Sequence, residues 1–445
     1  MADLLVRGGA VVTPDAVVQA DIAIEDGRIR AVGRELPGAA REIDARGLHI
    51  FPGLIDAHLH FNEPGRADWE GAATGSRALA AGGGTLFFDM PLNSTPCTIN
   101  AREFDRKRAA LEAASITDFA IWGGLVPGNV GEMADLAARG VVGFKAFLCD
   151  SGLPEFPRAD DLTLAEGLRE AARLRLPVAV HAESQDLVHG LARRCVERGR
   201  QSVRDFLESR PVLAEVEAIR RAALLAGEAG AALHIVHVSS GRGVAIAAEA
   251  RARRVDISIE TCPHHLFFTE DDVERLGAIA KCAPPLRGRA EQESLWKQVL
   301  GGAVDLIASD HSPAPPAMKS GSFWQAWGGI AGVQSTLAVL LEQGHHRRNL
   351  PLERIASLLA AEPARRFRIP DRGRVAEGCH ADLALVDLAA SFKLEPGDLQ
   401  QRHAISPYLG QCFRGVVRRT IRRGEAIFAE GAIAAKAGGV LVRPA

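Results

Sequence analysis

The sequence predicts an α/β fold, a (β/α)₈ TIM-like barrel carrying a small composite β-sandwich built from both ends of the chain. Three observations predict it. Apolar runs of strand type alternate with helical stretches through the middle of the chain, the pattern of parallel strands covered by helices. Short alternating strands joined by glycine-containing turns occupy both ends. The chain has 445 residues, and a barrel alone takes roughly 250. The expected bounds are 1–50 and 371–445 for the two parts of the β-domain and 51–370 for the barrel.

At the N-terminal end, Leu4-Leu5-Val6 and Val11-Val12 read as strands, and Ile22 to Glu25 and Ile29 to Val32 flank an Asp26-Gly27 turn. Asp-Gly between alternating runs is a strong hairpin signal. Eight barrel runs follow: Ile50 to His60, Thr85 to Met90, Phe119 to Gly123, Val141 to Phe147, Pro177 to His181, Ala232 to Val238, Val255 to Thr261 and Val304 to Asp310. Helical texture lies between them, as in Glu215 to Ala226. Strand texture returns in Ala381 to Asp387 and in Val416 to Ile421, and Arg423-Gly424 precedes Ala426-Ile427-Phe428. Neither end has enough strands to bury a core alone, so the two are expected to fold together.

Composition narrows the function. With 53 basic and 55 acidic residues and no long run of one sign, nothing favours nucleic acid or a membrane surface, and a small molecule is the expected partner. The seven cysteines are scattered without a Cys-x-x-Cys pair, which fits a reducing cytoplasm. No apolar stretch is long enough to span a bilayer, and Met1 to Ala10 lacks the apolar segment of a signal peptide.

Polar residues at strand ends carry the chemistry. His58 and His60 end the first run two residues apart, so both imidazoles point to one side and reach one ion. Asp56 shares that side and is placed to orient a histidine. Lys145 interrupts the apolar run Val141 to Leu148, where a buried ammonium is costly. Snorkelling to solvent and a Schiff-base nucleophile both remain open for it. His181 and His237 stand where strands five and six give way to loops, and His234 faces away from His237 as a structural residue. Asp310 ends the eighth run, placed to ligate a metal or take a proton. Imidazole and carboxylate donors suit zinc and also admit iron, manganese or cobalt.

These residues sit in segments that resemble the cyclic amidohydrolases, the group of dihydroorotases, hydantoinases with dihydropyrimidinases, and allantoinases. The landmarks are Pro52-Gly53-Leu54-Ile55-Asp56-Ala57-His58-Leu59-His60, Gly143-Phe144-Lys145, His237-Val238-Ser239-Ser240 and Ser309-Asp310-His311. The likeness covers essentially the whole chain. It implies an N6-carboxylated Lys145 bridging two divalent metals, with His58 and His60 on one, His181 and His237 on the other, and Asp310 completing the site and moving the proton. It also implies a homotetramer.

Within that group, His60 to Arg66, Phe147 to Pro157, Ser309 to Lys319 and Trp324 to Ile330 resemble the allantoinase branch. Asn62 stands where dihydroorotases carry an arginine for a substrate carboxylate. Asp150 stands where hydantoinases carry a tyrosine, and Ala314 where allantoinases often carry cysteine. The resemblance therefore implies hydrolysis of the allantoin ring to allantoate, with Asn62, Asn93 and Cys282 at the substrate and His264 and His265 shaping the mouth. The competing readings are a hydantoinase or dihydropyrimidinase for other cyclic diamides, a non-catalytic scaffold of dihydropyrimidinase type, and a Schiff-base aldolase.

Overall fold

The computed structural model describes residues 2–445. Its first five strands are β1 (Leu4–Val12), β2 (Val17–Glu25), β3 (Arg28–Gly33), β4 (Arg41–Asp44) and β5 (His49–Pro52). Asp26 and Gly27 join β2 to β3 with φ of 51° and 73°, the doubly left-handed turn that matches the twist of a hairpin.

The barrel strands follow: β6 (Leu54–Leu59), β7 (Gly84–Asp89), β8 (Asp118–Ile121) with its short continuation β9 (Gly123–Gly124), β10 (Phe144–Phe147), β11 (Val178–His181), β12 (Leu233–Ile235), β13 (Ile257–Thr261) and β14 (Leu306–Ile307). Every ladder among them is parallel. The ring closes where His60 N–H donates to His311 O at 2.8 Å and Asp310 N–H donates to His58 O at 2.9 Å. These closing bonds set the first and last strand ends, and the site residues on them, side by side.

Each expected run overlaps one of these strands, and the helical stretch Glu215 to Ala226 lies within the helix Val212–Ala229. Phe88, Trp122 and Phe367 fill the interior, with Phe367 edge-on to each of the other two at 5.2 Å. The barrel is thus a packed core and not a pore.

The last strands, β15 (Leu383–Lys393), β16 (Cys412–Arg422), β17 (Glu425–Ala429) and β18 (Ala432–Ile433), join the first five in one nine-stranded sheet. The seam is β5 against β15, with Pro52 opposite Leu383 and His49 opposite Val386. Val6, Ile22, Ile50, Leu383, Leu385 and Ile421 form its shared core, so neither end folds without the other. Val440 to Val442 then leave this sheet and bond to Phe119 of β8. Arg372 fastens the two bodies, buried between Asp118 of the barrel, at 2.5 Å, and Asp382 of the sheet.

Candidate metal centre

The loops at the C-terminal ends of the barrel strands enclose a cavity of about 440 Å³, which includes His58, His60, His181, His237 and Asp310 in its lining. Lys145 lies on β10 beneath it, fully buried, with no hydrogen-bond partner for Nζ. Burial pushes this ammonium down to about 8 against the pull of Asp310 and Glu260.

The orientation of the imidazoles is the informative feature. His58 Nδ1 donates to Glu260 Oε1 at 2.7 Å, His60 Nδ1 to Leu92 O at 3.3 Å, and His181 Nε2 to Glu183 Oε2 at 2.8 Å. Each ring therefore has one nitrogen held by an acceptor, which fixes the tautomer and leaves the other lone pair free. The free atoms converge. His58 Nε2 and His60 Nε2 lie 3.4 and 3.5 Å from Asp310 Oδ1, and His181 Nδ1 lies 3.1 Å from His237 Nε2.

Metal–nitrogen bonds of about 2.0–2.1 Å place neighbouring tetrahedral ligands roughly 3.3 Å apart, so these spacings are those of coordination edges. Donor atoms of His58, His237 and Asp310 also lie within 4.8 Å of one another, which joins the two half-sites into one cluster. Burial pushes His58, His181 and His237 below the usual imidazole range, toward the neutral form a metal requires. The donor set fits divalent metal.

Backbone strain accompanies this geometry. His237 and Asp310 have φ of 41° and 43°, and left-handed conformations at such residues cost about 1–3 kcal/mol each. Asn62 and Asn93 are also left-handed, at 63° and 68°, where asparagine is more tolerant. Glu260 works against the strain at His237, since its Oε1 accepts the His237 N–H at 3.1 Å.

Among the residues expected at the substrate, Asn93 and Cys282 line the cavity and Asn62 does not. Asn93 Nδ2 donates to Ser312 Oγ at 3.2 Å. Asn62 is 1% exposed and donates to Pro313 O at 3.3 Å, which places it behind the loop that follows Asp310. Burial pushes the Cys282 thiol up to about 12, so this side chain is no nucleophile. Asp56 accepts from the His58 and Ser309 main-chain N–H groups, holding strand ends rather than an imidazole.

His234 is structural as expected, bonded to Ser258 Oγ and to Glu260 Oε2. His264 and His265 are buried beside the site.

Glu260 and Glu183 were not anticipated. Glu260 is a carboxylate inside an apolar strand run, the same signal that singled out Lys145. Glu183 lies two residues beyond His181, and its partner Arg210 comes from the turn before the helix Val212–Ala229, a pairing that sequence spacing does not show.

The sequence profile of the amidohydrolase family matches residues 49–427. The chain belongs to the amidohydrolase family. A Solibacter usitatus protein named allantoinase is 68% identical over 445 residues, covering 100% of this chain and 97% of that one. Another of that name, from Rubrobacter xylanophilus, is 58% identical and covers 99% and 98% of the two chains. Among solved structures, an L-hydantoinase (dihydropyrimidinase) from Arthrobacter aurescens superposes with a TM-score of 0.97 at 31% identity, covering 100% of both chains. The family and the site together make this chain a metal-dependent cyclic amidohydrolase acting on a small molecule. Membership in this hydrolase family disfavours the Schiff-base aldolase reading of Lys145. No helix among the described residues is long and apolar enough to cross a membrane.

Proposed function

We propose that the protein is an allantoinase, opening the ring of allantoin to give allantoate at a binuclear centre. The observation that carries the chemistry is the convergence of imidazole nitrogens on Asp310 and on one another. Whole-length identity to proteins named allantoinase supports the choice of substrate.

In this reading His58 Nε2, His60 Nε2 and Asp310 Oδ1 would hold one ion, and His181 Nδ1 and His237 Nε2 the other. The unpartnered Lys145 amine would add to carbon dioxide and lose a proton, and the resulting N6-carboxylysine would supply anionic oxygen ligands to the metals. Zinc suits the imidazole and carboxylate donors, with iron, manganese and cobalt as alternatives for the same set. Such ions acidify water and polarise a carbonyl, supplying a nucleophile at neutral pH.

Asp310 accepts the proton of the attacking water and delivers it to the departing ring nitrogen. Asn93 and the main chain around Cys282 bind the ring edges. Asn62 positions the loop at Pro313 from behind. Strain at Asp310 and His237 keeps their donor atoms aimed before substrate arrives.

The test is a product assay on allantoin, hydantoin, dihydrouracil and dihydroorotate, with metal content measured on the same sample. Allantoate formation far ahead of the other products is expected. Preferred turnover of hydantoin or dihydrouracil would replace this reading with a hydantoinase or dihydropyrimidinase.

A further inference from the structure

Lys281 and Lys319 stand beside the cavity, and all the hydrogen bonds of both ammoniums end on main-chain carbonyls. Lys281 Nζ donates to Phe323 O at 2.7 Å, Trp324 O at 3.2 Å and Ala326 O at 2.7 Å. Its charge also lies over the rings of Phe206 and Phe323, at 4.8 and 5.2 Å. Lys319 Nζ donates to Trp327 O at 2.9 Å and Gly329 O at 2.6 Å.

The five carbonyls belong to one stretch, 323–329, which contains no helix or strand. Two further bonds fold it back on the same supports: Gly329 N–H donates to Lys281 O at 2.7 Å, and Trp327 N–H to Met318 O at 2.8 Å. At Gly329 the backbone has φ of 111° and lies so close to Ser312 O that a Cβ would come within 2.2 Å of it. The segment is therefore pressed against the loop that carries Asp310.

Each side of this arrangement needs the other. A buried ammonium is costly unless hydrogen-bonded, and carbonyls of an irregular segment need donors once removed from water. Here each satisfies the other, without a carboxylate. The held segment contributes Trp324, Gln325 and Trp327 to the cavity lining, with Phe206 packed edge-on against Trp324 at 5.7 Å. The imidazoles of His58, His60, His181 and His237 are buried, whereas Trp324 and Trp327 are half-buried and Gln325 exposed, so the segment stands at the outer end of the cavity, within reach of a substituent on a ring bound at the imidazoles.

We propose that Lys281 and Lys319 are positioning residues that hold 323–329 as the outer wall of the cavity and thereby set its preference for rings bearing a small polar arm. The part of this statement that concerns allantoin rests on the function proposed above; the holding of the wall does not.

The experiment compares metal-loaded wild type with Lys281→Met and Lys319→Met. Amide hydrogen exchange is read over 320–330, together with metal content and kcat and KM for allantoin and for hydantoin, the same ring without the arm. The expected result is a local rise in exchange of about tenfold or more, confined to that segment, because a loop that loses its cross-links opens at low cost. Metal content stays unchanged, and KM for allantoin rises while kcat and the hydantoin parameters change less.

The Arg variants keep the charge but change the donor geometry. They are expected to show the same local rise in smaller measure and serve in place of a Met variant that does not fold. Unchanged exchange at 320–330 overturns the holding role, and equal losses on both substrates overturn the role in selectivity. If the wild type hydrolyses hydantoin and not allantoin, the substrate assignment fails while the exchange result still decides whether the lysines hold the wall.

Discussion

Replacing Glu260 with glutamine tests whether the centre depends on a carboxylate that never faces the substrate. Glu260 accepts from His58 Nδ1 at 2.7 Å, His237 N at 3.1 Å and His234 Nε2 at 3.1 Å. An amide keeps one oxygen for the first two donors, and His234 can present its other tautomer, since its Nδ1 partner Ser258 is a hydroxyl. Shape and fold are therefore retained, and what is lost is the negative charge that raises the basicity of His58. Such supporting partners are worth 10–100-fold in metal affinity, or about 1.4–2.7 kcal/mol.

Metal dissociation constants from chelator competition, with elemental analysis, should show that weakening in Glu260→Gln, and turnover should recover in excess metal. Glu260→Ala strands all three donors, at about 1–3 kcal/mol each, and should lower the melting temperature as well. A glutamine variant that holds metal as tightly as wild type would refute the reasoning.

Asp310→Asn keeps an oxygen for the metal but removes the proton acceptor. Steady-state kinetics on allantoin should show a loss of about 10²–10⁴ in rate at near-normal metal content. Lys145→Ala should lose metal and activity together, with small carboxylic acids restoring part of the activity, and intact mass of the active wild type should show the added carboxyl. Arg372→Met leaves the buried Asp382 without its ion-pair partner while Asp118 keeps Arg423 at 3.3 Å, so denaturant unfolding should show a loss near the lower end of about 3–5 kcal/mol. Glu342, held by Arg414 and Arg347, is lowered from 4.5 to about 2. A depressed carboxylate stabilises the fold above its unfolded value, so the advantage of wild type over Glu342→Gln should be present at pH 7 and shrink as pH falls from about 4.5 toward 2.

The barrel was legible because each strand is an apolar run of the right length and the ligands sit where those runs end. The same logic singled out His58, His60, Lys145, His181, His237 and Asp310, which the structure gathers at or beneath one cavity, since a polar group terminating a buried strand has few reasons to be there. The supporting partners were harder to see. Leu92 holds His60 through a main-chain carbonyl, which no side-chain pattern announces. Arg210 reaches Glu183 from a distant turn. Asn62 was expected at the substrate because of its place after His60, but its left-handed backbone directs the amide to Pro313. Resemblance located the segment, and only the fold shows which way its side chain turns.

The seam between β5 and β15 gives the order of synthesis a consequence. The strands made first form an incomplete sheet whose partner lies beyond the whole barrel sequence. Until β15 emerges, β5 offers an open edge beside apolar Ile50 and Phe51, the kind of unpaired edge through which nascent chains associate. The barrel cannot close early either, because the bonds that set His58 and His60 beside Asp310 come from residues after β14. The candidate ligands therefore come together only late in folding. A chain stopped short of β15 would carry all six candidate ligands and still expose the edge that makes it prone to aggregate.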